Sequence, residues 1–314
     1  MRILVVGAGA IGGYFGGRLL EAGRDVTFLV RERRAAQLAK TGLIIRSTFG
    51  DADLPNPPTV AAEKLRDTFD LILLSCKAYD LAAAAESFAP AVGASTAILP
   101  FLNGMAHLDF LAARFGAGAV LGGQCVISTT LDAEGRIVHL NDTHLVSFGE
   151  RGGSRSGRAE AIAAAMAGAR FDSRLSTAIL QEMWEKWVFI ATTAGITCLM
   201  RGTVGDIVAA NATGLTAAMV DECAAIAAAN GFMPRDELMT RARTMLTAPG
   251  STFAASMLRD IERGAPIEAD HIVGDLLQRG AGKSRDYPML RIAYAHLKAY
   301  EARRKRESAA ASAP

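Results

Sequence analysis

The chain has 314 residues, 50% of them hydrophobic and 21% charged, which excludes wholesale disorder, a collagenous repeat and a disulfide-dense mini-protein. At roughly 150 residues per domain, it has room for two. Its 34 basic against 32 acidic side chains leave a net charge of +2, which argues against a general nucleic-acid or polyanion binder.

The amino terminus, MRILVVGAGAIGGYFGG, is apolar after one Arg, but glycine punctuates it and no signal-peptide cleavage region follows. Residues 3–6 read as a strand, 11–21 as the helix after it, and 25–30 as a second strand. Residues 71–75 carry a strong buried-strand signal and 96–99 another. Between them, residues 42–58 read as turns and short strands, with Pro55, Pro57 and Pro58 close together. Beyond Val120, the run VLGGQCVISTTL, then DAEG and RIVHL, predicts a hairpin with Gly135 in its turn, and residues 144–148 add an edge strand. This alternation is the mark of βαβ units.

A polar break at residues 150–157 follows, and after Phe171 the strand signals nearly vanish. Helical patterns take over at 176–199, 214–230, 234–246, 251–263, 270–279 and 288–306. Within the first of these, the charge-free run 187–200 is short of the roughly 20 residues a bilayer span needs and suits a buried core helix. The expected fold is therefore α/β: an N-terminal Rossmann-type doubly wound sheet with a C-terminal all-α domain. Expected boundaries are 1–170 for the Rossmann-type domain, 171–302 for the helical domain, and 303–314 for a disordered tail. Cys76, Cys125, Cys198 and Cys223 form no CxxC pair, so a reducing cytoplasm is the default compartment. The five histidines show no metal-ligand spacing beyond His139 and His144, which flank a turn, and no metal is expected.

Gly7-Ala8-Gly9-Ala10-Ile11-Gly12 is a GxGxxG motif between the first strand and its helix. The first glycine suits the tight turn and the second lets backbone approach a pyrophosphate. The third lets the helix pack close to the sheet. At the tip of the second strand an acidic residue would bind the ribose hydroxyl of NAD, whereas an arginine suits the 2′-phosphate of NADP. Arg31 occupies that tip, with Arg33 and Arg34 behind it, so NADP is the expected cofactor; Glu32, slightly misaligned, is the NAD alternative.

Two further segments follow strands. Lys77 could meet the cofactor's phosphates or ribose, or be a solvated loop lysine. Asn103-Gly104 could hold the nicotinamide amide or a substrate, or be an ordinary turn. Lys186, in EMWEKW, could protonate a carbonyl oxygen receiving hydride, or mark the polar edge of a core helix. Its carboxylate partner could be any of Glu262, Glu268, Asp270 and Asp275.

GAGAIGG, the lysine after the fourth Rossmann-type strand, LNGM, EMWEKW and SMLRDIERGAPIEADHIVGDLLQRG together resemble the ketopantoate reductase (2-dehydropantoate 2-reductase) family over most of the chain. The resemblance implies reduction of ketopantoate to pantoate in pantothenate and coenzyme A synthesis. It assigns Gly7, Ala8, Gly9, Ala10, Ile11, Gly12, Arg31, Lys77 and Asn103 to NADPH, Lys186 to acid catalysis and Glu268 to the substrate hydroxyl. Asn103 also serves the substrate, and Ser256 its carboxylate. One departure stands out: Ile190 and Ala194 replace asparagines that family members carry four and eight residues after the lysine. Two readings therefore remain beside ketopantoate reduction: the same mechanism on a less polar 2-keto acid, and a non-enzymatic NADPH sensor. A small-molecule substrate is the implied partner, with no nucleic acid and no membrane; the Ala-rich helices also offer a homodimer surface.

Overall fold

The computed structural model describes residues 1–283 and 285–311, which form two compact units. The first comprises Met1–Leu102 with His107–Leu180; the second comprises Asn103–Ala106 with the chain from Gln181 onward.

The first unit begins with β1 (Arg2–Val6), α1 (Ala10–Glu21), β2 (Asp25–Leu29) and α2 (Glu32–Thr41). Then follow β3 (Leu43–Arg46), β4 (Ala52–Leu54), β5 (Thr59–Val60), β6 (Phe69–Leu74), α3 (Leu81–Phe88), β7 (Val92–Pro100) and α4 (Ala106–Phe115). The order β5-β2-β1-β6-β7 makes one parallel sheet. In β1 and β6 only Arg2 and Asp70 are exposed, as a parallel sheet covered on both faces requires. α1 lies close over it: a Cβ built on Gly16 would come within 2.8 Å of Val5 and 2.7 Å of Phe28. The fold class read from the sequence holds here, a Rossmann-type sheet.

Two small sheets complete this unit, from β8 (Gly122–Val126), β9 (Thr129–Leu131), β10 (Ile137–His139), β11 (Leu145–Gly149) and, after α5 (Gly157–Met166), β12 (Asp172–Leu175). The hairpin around Gly135 is present as β9 against β10, and β10 also runs parallel to β3. The upstream half of the expected first strand is instead β8, in the sheet β12-β11-β8. Residues 144–148 were expected at an edge, yet β11 lies between β8 and β12. β12 escaped the sequence pattern because Asp172, Ser173 and Arg174 are all exposed. Its pairing carries the first unit past the expected boundary at 170, to Leu180.

Between these sheets and α1 lies a buried aromatic and imidazole cluster. Tyr14 hydroxyl and His144 Nδ1 share a hydrogen bond of 2.8 Å, and His139 bonds Ser47 Oγ at 2.9 Å and Asn141 Oδ1 at 3.0 Å. The two histidine rings stack 5.8 Å apart. Among the described residues no cluster of His, Cys, Asp or Glu could hold a metal ion.

The second unit is helical: α6 (Ile179–Met200, whose first two residues belong to the first unit), α7 (Val204–Ala209), α8 (Thr213–Ala229), α9 (Asp236–Leu246) and α10 (Ser256–Glu262). A π-turn, Asp270–Gly274, runs into α11 (Asp275–Gly280), and α12 (Pro288–Ala311) ends the described chain. No described helix is long and apolar enough to cross a membrane. The tail expected to be disordered from Arg303 is helical through Ala311, because Ala, Glu, Lys and Arg are strong helix formers; residues 312–314 lie outside the described residues. The segment expected as one helix at 251–263 is helical only from Ser256.

Candidate active site

The carboxyl ends of four parallel strands stand in one row, since Leu29 pairs with Val6, Val6 with Leu74 and Leu74 with Pro100. The chain turns outward in opposite directions from β1 and β6, which makes this end the switch point where such sheets bind ligands. The glycine motif, Arg31 and Lys77 all leave the sheet there.

Each glycine of the motif has a geometric reason. Gly7 has φ +91° and donates its N–H to the Leu29 carbonyl at 2.9 Å, closing the turn. Gly9 is the N-cap of α1, and a Cβ there would meet no atom within 4 Å. With no acidic residue in the first turn and no side-chain cap, the N–H groups of this helix end suit an anion. A Cβ on Gly12 would sit 2.3 Å from the Gly7 carbonyl oxygen and 2.2 Å from Ser75 Oγ. Ala8 is buried, while Ala10 and Ile11 are half-buried on the same turn. These residues fit a dinucleotide pyrophosphate.

Arg31 is the N-cap of α2, its side chain 80% exposed, with Nη2 3.1 Å from Asp80 Oδ1. Lys77 is half-buried and heads the short helical turn Ala78–Asp80 after β6. Arg34 is a residue whose role the sequence reading missed. Its Nε donates to the Ala8 carbonyl at 2.9 Å and its Nη1 to Gln37 Oε1 at 2.7 Å and the Gly135 carbonyl at 2.9 Å. It therefore ties the glycine loop to the β9–β10 hairpin, and burial lowers its pKa. Its place one helical turn after Arg31 was the available signal.

The remaining candidates belong to the second unit. Lys186, Ile190 and Ala194 recur every fourth residue along α6 and so share one face. Lys186 and Ile190 are half-buried; Ala194 is 2% exposed. The neighbours of Lys186 are anchors. Buried Glu185 accepts from Arg235 through its guanidinium and its backbone N–H. Burial alone would raise the Glu185 carboxyl, but the bonds from Arg235 and Gln181 pull its pKa below the ordinary value. On the other side, Trp187 donates its indole N–H to the Ile272 carbonyl at 2.8 Å.

Asp270 is engaged by Tyr294 at 2.7 Å and Lys298 at 2.9 Å, Asp275 by Arg279 at 3.1 Å, and Glu262 is exposed at the end of α10. Glu268 is half-buried just ahead of the π-turn, its carbonyl accepting the Ile272 N–H at 3.0 Å. Asn103 is half-buried in the short segment that joins the second unit. Ser256 is exposed at the start of α10, and the Ala255 N–H before it donates to Thr197 Oγ1 of α6 at 3.3 Å. Hydrogen bonds thus join the segments that carry Lys186, Glu268 and Ser256.

The family model described as "Ketopantoate reductase PanE/ApbA" matches residues 3–153, and that of its C-terminal domain matches residues 178–301. An uncharacterized oxidoreductase of Bacillus subtilis, YkpB, is 39% identical over 96% of this chain and 99% of its own length. A 2-dehydropantoate 2-reductase of Mesorhizobium japonicum is 28% identical over 89% of this chain and 91% of its own. Among solved structures, the 2-dehydropantoate 2-reductase of Geobacter metallireducens superposes with a TM-score of 0.87 at 30% identity, covering 95% of this chain and 99% of that one. A D-mandelate dehydrogenase bound to NADH and anilino(oxo)acetate shares the fold, with a TM-score of 0.86 at 21% identity over 97% of this chain and 100% of that one.

Proposed function

The chain is an oxidoreductase that belongs to the ketopantoate reductase family, and from that premise we propose that it reduces 2-dehydropantoate to (R)-pantoate with NADPH. The observation that carries the reading is the frame of the second unit, in which Lys186 stands beside a tryptophan bonded to the turn that follows Glu268. Gly7, Gly9 and Gly12 cradle the pyrophosphate, Lys77 and Asn103 meet the cofactor nearer its reacting end, and Arg31 takes the 2′-phosphate. NADPH, when bound, supplies the hydride that reaches the keto carbon. Lys186 polarises the keto oxygen and gives its proton to the alkoxide as it forms. Glu268 accepts the substrate's hydroxyl, while Asn103 and Ser256 hold its polar end. A homodimer, and a reducing cytoplasm that suits four cysteines without a CxxC pair, complete the proposal.

A second reading keeps this mechanism but changes the substrate to a less polar 2-keto acid. Ile190 and Ala194 favour it, since an apolar wall beside the lysine binds a hydroxyl poorly. Steady-state rates with ketopantoate, pyruvate and bulkier apolar 2-keto acids, each with NADPH and NADH, separate the two. The expected result is the highest kcat/KM for ketopantoate with NADPH. Ketopantoate turning over no faster than pyruvate would sink the first reading, and tighter binding of NADH would sink the NADP assignment. Lys186→Ala should lower kcat by about 10²- to 10⁴-fold while NADPH binding, read by fluorescence, persists. Undiminished activity in that variant would remove the lysine from the mechanism.

A further inference from the structure

His271 stands where three of the proposed site segments meet. Trp187, which follows Lys186 on α6, is fully buried and bonds the carbonyl of Ile272 at 2.8 Å. That carbonyl lies within the π-turn Asp270–Gly274, a widened turn of the kind that often marks functional sites. His271 precedes it, and the Asn103 backbone is among the groups that act on its ring. The contact continues at Gly104, which has φ +78°. A Cβ built there would lie 2.9 Å from the His271 carbonyl oxygen, 3.2 Å from its Cδ2 and 3.4 Å from its Nε2. Backbone and ring are thus pressed together with no room for a side chain between them.

Asn103 follows β7 by three residues, beyond the last paired position, Pro100. No strand ladder therefore sets the direction of its amide, and something else must.

We propose that His271 is a positioning residue that clamps the Asn103–Gly104 turn to the π-turn, so that the Asn103 amide is held in register with Lys186 and Glu268. The proposal rests on the reading of those residues as the reaction site. A neutral imidazole suits the task, because it can donate and accept without placing a second cation near Lys186. The surroundings keep it so: burial lowers its pKa, against the pull of Glu268, Asp275 and the Asn103 backbone, and Arg279 lowers it further. The clamp acts through Asn103, and a displacement of about 1 Å at such a group can cost roughly 100-fold in rate.

Two variants test the clamp: His271→Leu, which keeps bulk without hydrogen bonding, and His271→Gln, which keeps a donor and an acceptor. Amide exchange across residues 103–106 should quicken about tenfold in the Leu variant and stay near wild type in the Gln variant. Turnover of the best 2-keto acid should fall about 10- to 100-fold in the Leu variant, with KM for NADPH little changed, and return to within about threefold in the Gln variant. Leu behaving like wild type, or Gln failing as badly as Leu, overturns the proposal. Should the Leu variant not fold, Gly104→Ala replaces it, since the added Cβ must part the same contact. Were the wild type to reduce no 2-keto acid, only the functional reading would fall, and the exchange measurement would still decide the clamp.

Discussion

Gly12 illustrates how one residue sets the packing of the turn proposed to hold the cofactor. In an exposed helix interior, Gly→Ala gains roughly 1 kcal/mol of propensity. Here the new methyl would lie 2.3 Å from a backbone oxygen of the motif's own turn, and that oxygen cannot swing aside as a flexible side chain would. Overpacking of this kind costs about 1–3 kcal/mol, so the clash wins. Gly12→Ala should therefore lower the thermal midpoint and weaken NADPH binding together, because relieving the clash moves Gly7 and the start of α1. Unchanged affinity in a fluorescence titration would contradict the placement of the pyrophosphate. The motif was legible because its spacing is local. Arg34 was not, because its partners, Ala8 and Gly135, are distant in sequence.

At the scale of elements, α12 shows a helix start completed by another helix. Pro288 opens it and lacks an N–H, and the next two N–H groups, of Met289 and Leu290, donate to the buried Glu222 carboxylate of α8 at 3.0 and 2.9 Å. A carboxylate on these orphan donors also complements the positive end of the helix. Glu222→Ala should destabilise the protein by about 1–3 kcal/mol in chemical denaturation, through unsatisfied donors. Glu222→Gln, which retains an acceptor, should cost less; equal losses would deny the cap. Nothing near Pro288 in the sequence announced this partner. Conversely, the long helices were readable because apolar periodicity and Gly or Pro stops are local, whereas β12, whose first three residues are exposed, left no such trace.

Across the whole molecule, imidazoles are withdrawn from solvent: His144 of the first unit is buried and His271 of the second is half-buried. Burial is the main cause that lowers the pKa of His144, with His139 and Arg18 adding to it and Asp172 opposing; Tyr14 shares its hydrogen bond. Burial likewise leads the lowering at His271. The ordinary imidazole value is 6.5, so as pH falls past it the unfolded chain takes up protons before the folded one. Stability from these groups is present above pH 6.5 and is lost as pH falls through the folded values. The urea midpoint should consequently be lower at pH 5 than at pH 8, and His144→Gln should shrink the difference. A midpoint that rises on acidification would refute the assignment. Lowered carboxyls such as Glu185 act in the same direction below the ordinary carboxylate range.

The sequence by itself determined the α/β half followed by the helical half, the glycine-rich turn before α1, the arginine at the second strand tip, and a lysine with apolar residues at every fourth position after it. All of these are written in turn chemistry and periodicity over a few neighbouring residues. Only the tertiary structure decided that β11 is interior, that the first unit runs to Leu180, and that Asn103–Ala106 sides with the helices. It also engaged Asp270 with Tyr294 and Asp275 with Arg279, and set His271 against Gly104. The reason is physical: burial, pairing and hydrogen-bond partnership are settled by residues that meet in space after folding, and no local window of sequence contains both members of such a pair.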